Sequence, residues 1–236
     1  MKTLKKILKM LPLLLIFVSV GCKKEKAQPE AVADEIATSA LLDYYIVAEH
    51  AIGLNKLMIL YFTQEGNAVK AQVHLFDGTK AVEVVMEKST FRIDYNGDGK
   101  SIYNFGVEKD DTGKLILKSY DFNFNGQGNE LAHAIIVKTR ATPSFTDLSY
   151  KMIPSNMPFD KINTGTPFSI KPRTYGSRGA LVWSSNTGPH FDELINIGFR
   201  TADGAYMAVS VPNWKSINKP IMLLESRQTL YIAARQ

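Results

Sequence analysis

The sequence predicts a mainly β chain, an antiparallel β-sandwich or jelly-roll-like meander with one N-terminal helix. Three observations predict it. From Leu57 onward apolar and polar residues alternate with period two. Turn-forming pairs recur about every eight to twelve residues, the spacing of antiparallel strands. Helical spacing of apolar residues is confined to 34–52, before the alternation begins.

Within 34–52, Ile36, Ala40, Tyr44, Val47, Ala48 and Ala51 fall on one helical face, Asp34 stands at the N-cap position and Gly53 can end the helix. Further on, Val69, Ala71, Val73 and Leu75 alternate with Lys70, Gln72 and His74, which gives one buried and one wet face. Phe91, Ile93 and Tyr95 repeat the pattern, as do Leu131, His133, Ile135 and Val137; Tyr206 to Val209 follow a turn at Asp203-Gly204. Turns are expected at Glu65-Gly66-Asn67, Asp77-Gly78, Asn96-Gly97, Asp111-Thr112-Gly113 and Asn125-Gly126, where residues that accept positive φ cluster. Residues 141–172 carry five of the ten prolines and little alternation. They read either as a linker or as a crossover within a single β-rich domain spanning 34–236.

The first 21 residues form an export signal: Lys2, Lys5, Lys6 and Lys9 lead into an apolar run from Met10 to Val20 that small residues close. That run is about half the ~20 residues a spanning helix needs. Cys22 follows at once, and it is the single cysteine, so no intramolecular disulfide forms. Ser19-Val20-Gly21-Cys22 resembles the lipobox of bacterial lipoproteins, and Cys22-Lys23-Lys24-Glu25-Lys26 resembles the start of Bacteroidota-like members. The resemblance implies cleavage before Cys22, diacylglycerol on its thiol, a tether over 22–33 and residence in the cell envelope at the outer membrane. Two or more acyl chains hold a protein on a bilayer far longer than one.

The formal charge of +5 suggests an anionic partner, but it is concentrated at the front. Four of the 28 basic residues lie in the leader and three more in 22–30, leaving 21 basic and 21 acidic residues from Ala31 onward. A neutral body does not favour nucleic acid.

Three segments have the chemistry of a site. Asp94-Tyr95-Asn96-Gly97-Asp98-Gly99 matches the opening of a calcium loop, with Asp94, Asn96 and Asp98 as the candidate ligands for Ca2+, the sole cofactor suggested. Ile102 and Phe105 occupy the closing positions, however, and Phe122-Asn123-Phe124-Asn125-Gly126 repeats the pattern 29 residues later, so a repeated hairpin turn explains both copies better. Asp111-Thr112-Gly113 has the tripeptide of aspartic proteases in a hydrophilic turn instead of a buried strand, and Ser177 lacks the glycine of a nucleophile elbow. His50, His74, His133 and His190 are too dispersed for zinc, and adjacent Asp192 and Glu193 point to opposite faces of a strand.

Finally, 167–211 resembles the strand order of laminin-G or concanavalin-like modules. There Trp183, Trp214 and Tyr175 would offer flat faces to sugar rings and Arg178 and Asn186 hydrogen bonds. The sequence therefore predicts a membrane-anchored, non-catalytic module that binds a glycan, a peptide or a partner protein of the envelope. A polysaccharide hydrolase or lyase is the alternative, and a structural or lipid-carrier protein the second.

Overall fold

The structure, a computed structural model, describes residues 36–128, 131–141, 149–152, 168–175, 178–183, 186–194, 197–201, 205–226 and 228–236, and for most of 168–193 the backbone alone. It is mainly β, with every strand pairing antiparallel. Five strands form one sheet in the order β4-β3-β2-β1-β9: β1 (Tyr44–His50), β2 (Leu57–Glu65), β3 (Ala68–Leu75), β4 (Gly78–Glu83) and β9 (Leu131–Lys138). Four more, β5 (Val85–Glu87), β6 (Thr90–Asp94), β7 (Ser101–Lys109) and β8 (Leu115–Phe124), form a second sheet in sequence order. Eight further strands among the described residues form a closed barrel: β10 (Ser149–Met152), β11 (Phe168–Tyr175), β12 (Arg178–Trp183), β13 (Asn186–Leu194), β14 (Gly198–Thr201), β15 (Tyr206–Val211), β16 (Ile221–Ser226) and β17 (Thr229–Arg235).

The five-stranded sheet is buried on both faces along β1 and the first half of β2. Along β1, Tyr44, Ile46 and Ala48 face the four-stranded sheet in a core shared with Phe91, Ile93, Tyr103 and Phe105. The intervening Tyr45 and Val47, with Leu57 and Ile59 of β2, face the barrel wall and pack with Met207, Val209, Val211 and Leu223. The Tyr45 hydroxyl crosses this second interface to donate to the Ser210 carbonyl at 2.8 Å.

That double burial overturns the expected helix over 34–52. The chain makes a 3₁₀ turn at Thr38–Asp43 and then enters β1; Asp34, the expected N-cap, lies outside the described residues. A strand covered on one face alternates, whereas one covered on both reads as a continuous apolar run, which Tyr44 to Ala48 is. Tyr45 to Ala48 are wholly buried. At about 1.5–3 kcal/mol for each large apolar side chain removed from water, burying both faces outweighs the few tenths per residue of helix preference. The β-branched Ile46 and Val47 and the tyrosine pair also suit the pleat.

The expected strands at 69–75, 91–95, 131–137 and 206–209 match β3, β6, β9 and β15 in register with their neighbours. Segment 141–172 leads from β9 into the barrel, contributing β10 and the start of β11; most of it lies outside the described residues.

Gly198 on β14 pairs with Val209, and a Cβ there would run into the backbone carbonyl of Ala208. At Gly106 of β7 a Cβ would meet the Ser119 hydroxyl, which can rotate away. Gly198→Ala is therefore expected to destabilise the fold by about 1–3 kcal/mol and Gly106→Ala by clearly less, as read from urea unfolding midpoints; equal losses would refute the close-approach argument.

Candidate functional site

At one end of the sandwich, between the two sheets, lies a cleft of about 340 Å³. Three loops and two strand ends build it. His50 closes β1, where a register shift against β9 re-aims the chain, and its backbone N–H donates to the Lys56 carbonyl at 3.0 Å to pinch off loop 51–56. Ile52 and Leu54 stand on that loop. Opposite, β8 ends in Phe122 and Phe124. Asn125 and Gly126, at φ 52° and 83°, turn the chain so tightly that Phe124 and Gln127 bond to each other's backbone. Such left-handed pairs are the province of Asn-Gly, and here they hold Phe124 at the mouth.

Of the four large apolar side chains exposed among the described residues, three surround this cleft: Ile52 at 58%, Leu54 at 65% and Phe124 at 47%. Behind them an aromatic row runs into the core. Phe122 stacks on Tyr103 with centroids 4.3 Å apart, Tyr103 leads to Phe105, Phe105 stacks on Phe91 at 5.1 Å, and Phe91 meets Phe62 edge-on. The exposed Phe124 is thus the outer end of a rigid column.

His50 sits edge-on to both Tyr103 and Phe122, and its Nε2 lies 2.9 Å from the Tyr103 hydroxyl. Burial pushes the imidazole down to about 4, with Lys56 adding to the fall and Asp77 opposing it. It is neutral at physiological pH, and its buried Nδ1 has no hydrogen-bond partner. The polar rim comes from three turns. Asn55 accepts the Asp77 N–H at 3.2 Å, tying loop 51–56 to the β3–β4 turn; Asn96 bonds Lys80 and Ser101, and Tyr95 lies under the Lys80 ammonium.

The barrel braces the cleft from behind. Glu225 of β16 is wholly buried and accepts from two successive backbone N–H groups, Lys56 at 2.7 Å and Leu57 at 2.9 Å, at the foot of loop 51–56. Arg200 of β14 donates to the Phe76 carbonyl beside Asp77 at 3.1 Å. Burial raises the Glu225 carboxyl to about 7 against the pull of those two N–H donors and Lys56, with Asp77 adding to the rise.

Of the residues proposed from sequence, Asn96 alone lines this cleft among the described residues. Trp214 is 1% exposed, its indole edge-on to His133 at 4.6 Å. Its two large faces serve the second core, so it offers no platform to a ligand. Tyr175 pairs with Arg178 at one end of β12, and Trp183 with Asn186 at the other. Those two pairs are separated by about 17 Å of strand, so the four do not share one location; their side chains lie outside the described residues. Asp94 spends its carboxylate on the Gly97 and Gly99 N–H groups and Asp98 on that of Lys100. With the Lys80 ammonium on Asn96, the loop 94–101 is a self-bonded turn with a cation of its own. Among the described residues no group of three His, Cys, Asp or Glu side chains is placed to hold a metal ion. Asp111-Thr112-Gly113 forms the β7–β8 turn, in which Asp110 accepts from Thr112 and Lys114.

Fold and site together define an antiparallel all-β protein with an aromatic cleft at the open end of its sandwich. No family model, no curated protein and no solved structure matches the chain at a significant level.

The two kinds of buried titratable group act oppositely on stability. Glu225, raised in the fold, contributes stability that is fully present below about pH 4.5 and lost as pH rises through about 7. His50 and His74, both lowered to about 4, contribute stability present above pH 6.5 and lost as pH falls through about 4. Glu225→Gln is expected to remove the decline on the alkaline side, so that between pH 5 and pH 8 its urea midpoint falls less than that of the wild type. Parallel curves for the two proteins would count against a buried, titrating Glu225.

Proposed function

We propose that the chain is a lipid-anchored envelope protein that binds a small amphipathic ligand, without converting it, in the cleft between loop 51–56 and the end of β8. One observation carries the binding reading: among the described residues, three of the four exposed large apolar side chains border a single concave site whose floor is a packed aromatic row. Isolated exposed apolar residues need no explanation, whereas a cluster around a cleft marks an interaction site. Cleavage of a polysaccharide by paired acids needs two carboxyl groups about 5–10 Å apart across the bond; among the described residues the cleft is lined by one, Asp77. The anchor rests on Ser19-Val20-Gly21-Cys22 and the basic leader before it.

Two measurements test the two halves. Cys22→Ala is expected to abolish incorporation of labelled fatty acid and to leave the leader uncleaved; unchanged labelling and processing would remove the anchor from the proposal. The neutral apolar dye Nile red is expected to bind the full mature chain with enhanced fluorescence, and Phe124→Ala and Leu54→Ala each to weaken it about three- to tenfold, the worth of an exposed aromatic or aliphatic contact. Wild-type affinity in both variants would place the apolar site elsewhere.

A further inference from the structure

The cleft's chemistry also points to a ligand class, an inference that rests on the binding reading above. Its apolar surface is concentrated at the mouth, in Phe124, Ile52 and Leu54. Its polar groups are planar or hydroxylic and come from three turns, and most of their capacity is already used. Asn96 is bonded to Lys80 and Ser101, and Asn55 Oδ1 holds the Asp77 N–H. What stays available at the cleft surface is the exposed Asp77 carboxylate and the Asn55 amide nitrogen. A ligand matched to this set has one face of C–H groups to lie on a ring and one edge of hydroxyl or amine groups. A pyranose ring has that shape, and the cleft volume lies at the lower end of the ~300–1,000 Å³ usual for small-molecule sites.

The charges around the cleft narrow the class. Among the described residues Asp77 has no ion-pair partner, and it is the one charged side chain that lines the cleft. Lys80, 2.7 Å from Asn96 Oδ1 and 4.4 Å above the Tyr95 ring, and Arg200, bonded to the Phe76 carbonyl, lie outside that lining. An anionic ligand would meet the Asp77 carboxylate with no cation among the described lining residues beside it, and an ammonium would find in Asp77 a charged acceptor. We propose that the cleft takes one or two pyranose rings of a neutral or amino-bearing saccharide, stacked on Phe124 and hydrogen-bonded by Asp77 and Asn55, and that it rejects uronate-bearing saccharides. An acyl chain fits this set less well, because it would leave the Asp77 and Asn55 groups of the cleft without partners.

The test titrates the full mature chain with cellobiose, a glucosamine disaccharide and a glucuronate-containing disaccharide. Decanoate and a Leu-Lys dipeptide serve as the competing classes, and amide NMR shifts of Leu54, Asp77, Ser101 and Phe124 give the site. The expected result is binding of the first two sugars at these residues, with the glucosamine sugar tighter and the glucuronate sugar at least about tenfold weaker, the worth of one charge-assisted contact. Asp77→Asn should bring the amino and neutral sugars to within about threefold of each other, and Phe124→Ala should remove both. Phe124 is half exposed, so its loss leaves the core intact, and Leu54→Ala is a second variant that cannot disturb packing. Equal or tighter binding of the glucuronate sugar overturns the charge argument. Shifts at these residues with decanoate or the dipeptide but with no sugar overturn the saccharide class while sparing the cleft. Sugar shifts confined to other residues also overturn the proposal. No shift with any ligand, together with no Nile red binding, overturns both.

Discussion

The five-stranded sheet has no wet face along β1 and the first half of β2, and the rest of the structure follows from that constraint. A strand enclosed by two cores has no water for its polar atoms, so each side chain that carries one must find a protein partner. Tyr45 meets this with the Ser210 carbonyl and Tyr44 with the Leu115 N–H. Where β1 ends and the chain turns toward β2, two N–H groups need acceptors in the same enclosed region, and Glu225 supplies both from the barrel. A carboxylate with two oxygens serves two adjacent donors in one geometry. Its cost is desolvation, which shows as the raised pKa.

The same enclosure shapes the cleft. The sandwich core is filled across its width by rings, and the row from Phe62 through Phe91, Phe105, Tyr103 and Phe122 reaches the surface at Phe124. Rings packed in sequence have few rotamers open to them, so the exposed end inherits the rigidity of the buried part. His50 belongs to this row chemically as well as sterically, since a neutral imidazole between two rings is tolerated where an imidazolium would not be. The cleft is therefore prearranged by the core, and the barrel fixes its movable lip through Glu225 at the foot of loop 51–56.

The sequence made the mainly β class plain wherever a strand has one wet face, as in Val69 to Leu75 or Phe91 to Tyr95. It misled at Tyr44 to Ala48, where burial on both faces erases the alternation and leaves apolar residues that also fit a helical face. The closed barrel was hidden for a related reason: Met207 to Val211 and Ile221 to Leu224 are buried on both faces, and such runs carry no information on what covers each side. The site was legible only in fragments. The repeat of 94–99 at 123–128 disclosed two turns at the same end of one sheet, and the exposed Phe124 stands beside the second of them. Tryptophans attracted the ligand reading by residue type alone, whereas among the described aromatic side chains the exposed ring is a phenylalanine next to an Asn-Gly turn. Nothing in sequence order ties His50, Asp77 and Phe124 together; only pairing across two sheets does that.

The contacts that join β1 and β2 to the barrel span 165 to 169 residues of chain. Each must wait until nearly the whole polypeptide has been made. A chain emerging from its N-terminus can assemble the local hairpins β2–β3 and β6–β7–β8 early, but Tyr45, Val47, Leu57 and Ile59 then face open solvent as an apolar strip until β15 and β16 arrive. Long-range pairing of this kind is slow, and the strip is a surface on which immature copies adhere to one another. With a single cysteine no covalent crosslink within the chain can hold an intermediate in register. The strip thus stays uncovered until β15 and β16, Tyr206 to Ser226, have been made, and a chaperone that shields one sheet face during that interval would limit such adhesion.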